Sequence, residues 1–265
     1  MKPPVFEENW STEIKRLHAH DVQEIWDASI NRHVWNQYHN QLELYLKLAG
    51  LPDETGVKKI LDVGCAQATL ALLLAERGHQ VVALDLRQGF LDYAKSRYTH
   101  GSIRFVLGNA LDCEIEDRFD LIFANQIIEH LVYPEKLIKR LKGLLRSGGE
   151  LVVTTPNWSY LRSNLPSYED LGDPARFEHL QFTADGGGHF FAYKASELKK
   201  IFRQAGFGNC RCKFFESPFV SGHLKLRYFH RVLPYKLLSK LDRIALASPI
   251  GSYLAHQIML VAVNP

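Results

Sequence analysis

The sequence predicts an α/β protein built on a doubly wound, mainly parallel sheet of seven strands, with an N-terminal helical cap and helical insertions. Short apolar runs alternate with helical segments across residues 57–215, which is typical of a parallel sheet with helices on both faces. Glycine or proline punctuates the ends of these runs, and one more apolar run lies at 256–263.

We predict a single domain over residues 1–265, since this length is long for one average domain and short for two. Residues 1–50 form the predicted helical cap, and residues 57–215 form the predicted α/β core, which carries an insertion at 157–193. Residues 216–265 supply a helical insertion and the final strand.

The elements of the first half follow from hydrophobic periodicity. Residues 10–48 place apolar side chains at three- and four-residue spacings, which predicts helix up to Gly50. The first helix of the core is predicted to stop at Gly78. The predicted strands of this half are residues 59–63, 80–84, 104–107 and 120–124, and the helix is 68–77.

In the second half, the Gly148-Gly149 pair is predicted to be the turn that enters the fifth strand. Two stretches, 157–193 and the mostly helical 218–253, interrupt the alternation. Insertions after strand ends commonly build binding sites, so both are candidates for the substrate pocket. The remaining predicted elements are strands at 150–155, 209–215 and 256–263 and a helix at 196–205.

Composition narrows the class of protein. Hydrophobic residues at 46% and charged residues at 23% are ordinary for a globular chain, and a net charge of +3 is too small to indicate nucleic-acid binding by itself. The four cysteines lack the spacing of a zinc site or a disulfide framework. Because the first residues lack an apolar stretch and no long apolar run follows, we expect a cytoplasmic protein without a transmembrane segment.

Glycine and polar residues follow the first four predicted strands. Gly64 can make a tight turn before a helix whose N-terminal amides attract an anion. Asp85 lies 23 residues after Asp62, where a carboxylate can hold both hydroxyls of a ribose. Asn109 follows the third strand and Asn125 the fourth. Since the carboxyl ends of parallel strands meet at one edge, the sequence predicts a nucleoside-binding cleft there.

Five runs in this order resemble class I S-adenosylmethionine-dependent methyltransferases. The resemblance covers about residues 57–215, and the last predicted strand fits the terminal hairpin of that family. It implies the Rossmann-like methyltransferase fold, S-adenosylmethionine as cofactor and methyl transfer as activity. The runs are residues 60–65, 82–85, 108–110, 119–123 and 144–150.

The resemblance also implies roles for individual residues. The turn after strand one lines the methionine portion, and Asp85 binds the ribose. Asn109 and Ala110 flank the adenine, and Asn125 approaches the methionine end. The implied cofactor-binding residues are Asp62, Gly64, Ala66, Asp85, Leu86, Asn109, Ala110 and Asn125.

Two alanines depart from the family pattern, which usually has glycine at the positions of Ala66 and Ala68. Alanine narrows the gap to a ligand, and we expect it to be tolerated if the local dihedrals are ordinary. A lapsed enzyme that only binds the cofactor is therefore an alternative. Gly64 and Asp85 would also fit a nicotinamide-dinucleotide fold. The third glycine of that fingerprint is replaced here by Thr69, and the later runs favour the methyltransferase.

The acceptor side is predicted after the fourth strand. Gln126, Glu129 and His130 are spaced to face one side of a helical turn, towards the cofactor methyl. His130 is the predicted general base, since histidine accepts protons near neutral pH. The alternative is that Glu129 and His130 only orient the loop.

The run 126–131 is similar to ubiquinone-pathway O-methyltransferases and to small-RNA 2′-O-methyltransferases. In those families carboxylates and a histidine can hold a divalent metal, and His189 is the candidate for a further ligand or catalytic group here. Because Gln126 supplies a neutral amide, which binds Mg²⁺ poorly, we predict no metal. Alternatively, His189 is a loop histidine that hydrogen-bonds to the backbone. The three glycines at 186–188 would permit a mobile lid.

Two further features of the sequence can each be interpreted in more than one way. Residues 223–243 contain six Lys or Arg and one acidic residue. This basic segment could bind a phosphorylated or lipid-linked acceptor or contact an anionic membrane surface. The alternative is that it forms a solvated helical face. Trp35, Tyr38 and His39 either close over the cofactor or pack in the helical cap.

The sequence therefore predicts S-adenosylmethionine-dependent methyl transfer to an oxygen of a small molecule or glycoconjugate. RNA methylation and cofactor binding without turnover are the alternatives. Nucleic acid is not expected as a partner, and the oligomeric state is left open.

Overall fold

The computed structural model describes residues 1–180 and 191–265, and its strands form one seven-stranded sheet. The strands are β1 (Lys59–Val63), β2 (Gln80–Asp85), β3 (Ser102–Leu107), β4 (Phe119–Asn125), β5 (Leu145–Pro156), β6 (Cys210–Phe215) and β7 (Gln257–Val263). Their order is β3-β2-β1-β4-β5-β7-β6. The predicted fold class and all seven strands are confirmed.

The described residues also form ten α-helices. They are α1 (Thr12–Asp21), α2 (Arg32–Ala49), α3 (Pro52–Thr55), α4 (Thr69–Glu76), α5 (Gln88–Arg97), α6 (Pro134–Leu144), α7 (Ala195–Gln204), α8 (Pro218–Ser221), α9 (Tyr235–Ala247) and α10 (Gly251–Leu254). One π-helical turn, Val22–Trp26, follows α1, and short 3₁₀ helices lie at Ile128–His130, Glu169–Leu171, Pro174–Leu180 and Leu226–Arg231.

By its internal contacts the chain divides into two compact units. Unit one comprises residues 1–114 and 218–241, and unit two comprises 115–217 and 242–265. The single methyltransferase domain expected from the sequence stays a prediction.

Unit one is built on three parallel strands. β2 pairs with β1 and with β3, so that Leu61 lies opposite Val82 and Asp85 lies opposite Leu107. The α4 sequence is rich in Leu and Ala, which are strong helix formers, and nearly all of its residues are buried. Shortly after α4 ends, Gly78 has a φ of 96°, which lies in the left-handed region that glycine adopts without steric penalty.

The N-terminal cap is interrupted, whereas the sequence predicted continuous helix over 10–48. Ser11 begins α1 by accepting a hydrogen bond from the Ile14 amide (3.3 Å). Asp27 ends the π-helical turn, because its carboxylate accepts hydrogen bonds from the amide (2.8 Å) and the hydroxyl (2.6 Å) of Ser29. This local bonding competes with helix, so α2 starts only at Arg32.

Unit two contains the antiparallel part of the sheet. β4 pairs with β5 in parallel, and β7 pairs antiparallel with β5 and with β6. The predicted entry turn at Gly148-Gly149 is wrong, since both glycines lie inside β5. Asn264 explains this: its carbonyl accepts from the Gly148 amide and its own amide donates to the Gly149 carbonyl, each at 2.8 Å. A shift in the β4–β5 register accommodates the extra residues.

Among the described residues, no helix is long and apolar enough to cross a membrane.

Candidate functional site

The loop after β1 has an alternating backbone conformation. Gly64, Ala66 and Ala68 all have positive φ angles, of 64°, 45° and 55°. The condition under which alanine was expected to be tolerated, ordinary dihedrals, is therefore not met at either position. A left-handed alanine pays a steric penalty that glycine avoids, which gives a physical reason for glycine at these positions in the family that the sequence resembles.

Asp85 fixes this loop against the end of β2. Its Oδ2 accepts a hydrogen bond from the Ala66 amide and its Oδ1 one from the Arg87 amide, each at 2.9 Å. The side chain is only 2% exposed, and the Arg87 Nε lies 3.4 Å from Oδ1. Because a carboxylate accepts about four hydrogen bonds, Asp85 keeps capacity for a ribose hydroxyl.

Asp62 lies buried beside Asp85. Burial, and secondarily the negative charge of Asp85, raise the pKa of Asp62 to about 7. A hydrogen bond from the Ala71 amide opposes that rise in pKa and ties Asp62 to α4. Asp62 therefore supports the loop from the interior.

The tips of β2 and β3 present apolar surface beside a polar turn. Leu86 is 50% exposed and Leu107 is 52% exposed. In the turn after β3, the Asn109 Oδ1 accepts from the Leu111 amide at 3.0 Å. Gly108 is required there, since a Cβ would lie 2.6 Å from the Cβ of Cys113. Exposed leucines next to such a turn are suited to cover the face of an adenine.

A buried ion pair, which sequence reasoning missed, holds the same loop from the other side. The Arg97 Nη2 lies 2.9 Å from the Asp21 Oδ1, and both side chains are fully buried. The Arg97 Nη1 donates to the Gln67 carbonyl at 2.6 Å, and Nη2 donates to the Thr69 hydroxyl at 3.0 Å. Arg97 thus links α1 to the loop between β1 and α4.

The helical cap also contacts the loop directly through Gln67. The Gln67 Nε2 donates to the Glu24 Oε2 at 2.9 Å and lies 3.4 Å from the Tyr38 hydroxyl. Burial, and secondarily the nearby negative charge of Asp21, raise the pKa of Glu24 to about 8. Glu24 lies on the π-helical turn, a type of irregularity that is common at functional sites.

Of the three cap residues singled out in the sequence, Tyr38 contacts the loop. Trp35 and His39 stack on each other with ring centroids 4.3 Å apart, and the Trp35 carbonyl lies 2.9 Å from the His39 Nδ1. The signal for the missed network is the polar pattern of α1 and the π-helical turn that follows it, in which Asp21 and Glu24 interrupt an apolar series.

The left-handed alanines lead to a testable expectation. Replacing Ala66 with glycine is expected to raise the free energy of unfolding by about 1 kcal/mol, because glycine reaches positive φ without the Cβ penalty. Urea denaturation measures this change. The matched control is Ala245→Gly within α9, where the same substitution is expected to lower stability by about 0.5–1 kcal/mol. A stability loss at both positions would contradict the assignment of strain to residue 66.

In unit two, the candidate acceptor-side residues follow β4. The Asn125 Oδ1 accepts from the Thr154 hydroxyl at 3.1 Å. Gln126 has φ of 54°, so the chain leaves the strand in a left-handed conformation and enters 3₁₀ helix only at Ile128. The regular helical turn predicted for Gln126, Glu129 and His130 is therefore wrong.

Glu129 points into the interior of unit two. It is fully buried, and its Oε2 accepts from the Thr155 hydroxyl at 3.1 Å. The Gln126 amide nitrogen lies 3.1 Å from its Oε1 when that amide is oriented to donate. Burial raises the pKa of Glu129 to about 8, so it is mostly protonated at neutral pH. This environment favours a role in orienting the turn, and its catalytic role stays a prediction.

His130 differs from its neighbour because it is only half-buried. Its amide donates to the Ile127 carbonyl at 3.0 Å, which closes the 3₁₀ turn. His189 lies outside the described residues. Within residues 1–180 and 191–265, no group of three or more His, Cys, Asp or Glu side chains could hold a metal ion.

Comparison with known proteins places this geometry in context. A family model described as a methyltransferase domain matches residues 19–210. A ubiquinone biosynthesis O-methyltransferase of Chromobacterium violaceum is 31% identical over 157 residues, which is 57% of this chain and 65% of that protein. A protein of the same description from Stutzerimonas stutzeri is 26% identical over 122 residues, or 44% of this chain and 50% of that protein. The chain thus spans between half and two thirds of the length of these relatives.

Solved structures share the fold. A SAM-dependent methyltransferase of Archaeoglobus fulgidus matches with a TM-score of 0.55 at 16% identity, covering 84% of this chain and 91% of that one. Haemonchus contortus phosphoethanolamine N-methyltransferase 2, in complex with S-adenosyl-L-methionine, matches with a TM-score of 0.55 at 17% identity, covering 98% of this chain and 61% of that one. Identities this low show a shared fold alone.

Proposed function

This chain belongs to the class I S-adenosylmethionine-dependent methyltransferases, and from that premise we propose that it transfers the methyl group to an oxygen of a small molecule or glycoconjugate. The family, the cofactor and the methyltransferase activity predicted from the sequence runs are confirmed. The oxygen acceptor is the proposal.

The observation that carries the proposal is the likeness to ubiquinone biosynthesis O-methyltransferases, at 31% identity over 157 residues for the Chromobacterium violaceum protein. By the sequence resemblance, the run 126–131 corresponds to the segment that supplies acceptor-side residues in those relatives. A half-buried His130 at this position suits an acceptor whose proton must be removed, which is the case for an alcohol or phenol.

The residues of unit one fit the cofactor. Asp85 has acceptor capacity beyond the amides of Ala66 and Arg87, and Leu86 offers exposed apolar surface for a base. When bound, the cofactor supplies a sulfonium-linked methyl group that an acceptor oxygen can attack. Since the Arg87 side chain covers one oxygen of Asp85 and is half exposed, it is the group that we expect to move when ribose binds.

The proposed chemistry of unit two is proton removal. The imidazole of His130 would take the proton of the acceptor hydroxyl, so that the acceptor oxygen could attack the methyl group that the bound cofactor would supply. Glu129 holds the 128–130 turn through Thr155 and so orients that imidazole.

A panel of acceptors tests the proposal. The protein is incubated with S-adenosylmethionine carrying a radiolabelled methyl group and with phenols, sugars, amines or short RNAs, and the labelled product is identified. Label on a phenolic or sugar oxygen supports the proposal. Label only on amines or RNA would overturn it, and so would binding of S-adenosylhomocysteine without label on any acceptor, which would indicate a lapsed enzyme.

His130 provides the matching prediction. We expect His130→Ala to lower turnover of the hydroxyl acceptor by about 10²–10⁴-fold, the usual contribution of a general base. Its affinity for S-adenosylhomocysteine should stay within about twofold of wild type, as measured by calorimetry. His100→Ala, at an exposed position of unit one, is the control and should leave both quantities unchanged. Unchanged turnover in His130→Ala would show that another group removes the proton.

A further inference from the structure

A cavity of about 450 Å³ in unit one lies apart from the residues assigned to the cofactor. It forms where the N-terminus of α2 meets the 3₁₀ helix Leu226–Arg231. Five of the residues that line it carry a basic or aromatic group: Arg32, His33, Arg227, Tyr228 and Arg231. Of the described residues that line the cavity, none has an acidic side chain.

The arginines of this cavity have no carboxylate partner among the residues that the structure describes. In the described parts of the chain, Arg32, Arg227 and Arg231 form no ion pair with a carboxylate. The Arg227 Nη2 contacts the Tyr228 hydroxyl at 3.4 Å, which supplies no negative charge. Three guanidinium groups around one cavity repel each other, so an anion between them is stabilised.

The histidines of the region experience this positive field. Burial lowers the pKa of His33, and the charge of Arg227 lowers it further. Burial likewise lowers the pKa of His230 to about 4, and the charges of His33 and Arg32 contribute. Both histidines are therefore mainly neutral at pH 7, and the arginines carry the charge.

The end of α2 adds to the same field. This helix has 18 residues, its N-cap Asn31 makes no side-chain capping bond, and its first turn holds no acidic residue. Helix N-termini usually attract acidic side chains, because the unpaired amides carry partial positive charge. Here Arg32 and His33 occupy the first turn instead.

Side-chain contacts join the elements that form the cavity walls, and one of these contacts is buried. The Asn36 Nδ2 and the His230 Nδ1 lie 3.0 Å apart, which joins α2 to the 3₁₀ helix. Gly222, with φ of 71°, allows a close approach, since a Cβ there would lie 2.8 Å from the His33 ring. The Tyr235 hydroxyl donates to the Glu43 carboxylate at 3.1 Å further along α2. The three arginines therefore project towards solvent from two elements that are joined to each other.

We propose that this cavity binds the phosphate group of a phosphate ester or diphosphate. Planar guanidinium groups bind phosphate oxygens in pairs, and more than one arginine matches the multiple charge of a phosphate better than that of a single carboxylate. The volume lies within the range of small-molecule sites. The proposal does not depend on which atom receives the methyl group, because it concerns binding alone.

Calorimetry with inorganic pyrophosphate tests the site directly. The double variant Arg227→Gln/Arg231→Gln is expected to bind pyrophosphate at least tenfold more weakly than wild type. The matched control is Arg16→Gln/Arg203→Gln, which removes the same charge from exposed helical positions and should bind like wild type. Equal thermal midpoints of the two variants establish that the cavity variant is folded. The proposal is wrong if wild type does not bind pyrophosphate at millimolar concentration, or if the two double variants bind equally.

A vesicle assay distinguishes the two sources of phosphate. Wild type and both double variants are sedimented with vesicles of phosphatidylglycerol and, separately, of phosphatidylcholine. Loss of phosphatidylglycerol binding in the Arg227→Gln/Arg231→Gln variant alone would assign the cavity to a lipid headgroup. Pyrophosphate binding without sedimentation of wild type would assign it to a soluble phosphorylated molecule. Vesicle binding that all three proteins share, without pyrophosphate binding, would overturn the proposal.

Discussion

Replacing Arg97 with methionine is expected to lower the free energy of unfolding by about 3–5 kcal/mol, the usual effect of removing one partner of a buried ion pair. The Asp21 carboxylate would stay buried without a cation, since it is fully enclosed in the wild-type protein. The Tyr93 hydroxyl (2.8 Å) and the Trp26 indole (3.0 Å) would still donate to its Oδ2, but neither carries a charge. Urea denaturation at pH 7 measures the loss.

The pH dependence of this variant is a second readout. Burial raises the pKa of Asp21, and the charge of Arg97 opposes that rise. Without Arg97 the folded-state pKa of Asp21 rises further, so the folded variant binds a proton more readily than the unfolded chain. The stability deficit relative to wild type should therefore shrink as the pH falls through that raised pKa. A deficit that is constant from pH 8 to pH 5 would contradict an origin in the unpaired carboxylate.

Two controls separate the ion pair from the loss of a long side chain. The double variant Asp21→Asn/Arg97→Met should recover part of the lost stability, because it buries no uncompensated charge. Arg16→Met, at an exposed position of α1, should change stability by less than about 0.5 kcal/mol. No recovery in the double variant would place the loss in the bonds of Arg97 to Gln67 and Thr69.

The sheet was predictable because its information is local. Each strand of unit one is a short apolar run bounded by polar or glycine residues, and β1 matches its predicted bounds. The start of β5 was missed, since it depends on pairing with Asn264, more than 100 residues away in sequence. Such pairing leaves no trace in the periodicity of either segment.

The positions of the site residues at strand ends were predictable from the sequence, but their backbone angles and tertiary contacts were not. Asp85 and Gly64 follow strands, and strand order brings strand ends to one edge. The left-handed backbone at Ala66 was not expected, because the sequence states a residue type and not a dihedral angle. The contacts of Asp21 with Arg97 and of Glu24 with Gln67 join positions 76 and 43 residues apart, so periodicity could not reveal them. Glu129 was placed on a helical turn because nothing in its neighbours indicates the tertiary contact with Thr155.

Replacing Asp85 with alanine is expected to weaken binding of S-adenosylhomocysteine by at least about 100-fold, or roughly 2.7 kcal/mol. Two effects add. The variant loses the acceptor proposed for the ribose hydroxyls, and it releases the amides of Ala66 and Arg87, each held at 2.9 Å in the wild type. Calorimetry measures the affinity, and a thermal scan establishes that the variant is folded.

Asp85→Asn separates the two effects. An amide oxygen can still accept from the Ala66 amide, so this bond to the loop is retained, while the negative charge and the acceptor for the Arg87 amide are lost. If ribose binding is the main role of Asp85, affinity in Asp85→Asn should fall nearly as far as in Asp85→Ala. If holding the loop is the main role, Asp85→Asn should stay close to wild type. Asp92→Ala, which removes an exposed carboxylate from α5, is the matched control and should bind like wild type.

The pKa of the neighbouring Asp62 carboxylate provides a second test of the Asp85 substitutions. The charge of Asp85 contributes to the raised pKa of Asp62, so either substitution should lower that pKa from about 7. The wild-type protein is destabilised as the pH rises, because a buried acid with a raised pKa must ionise in the folded state. Both Asp85 variants should therefore lose less stability between pH 5 and pH 8 than wild type. An unchanged pH profile together with unchanged affinity would show that Asp85 neither interacts with Asp62 nor binds the cofactor.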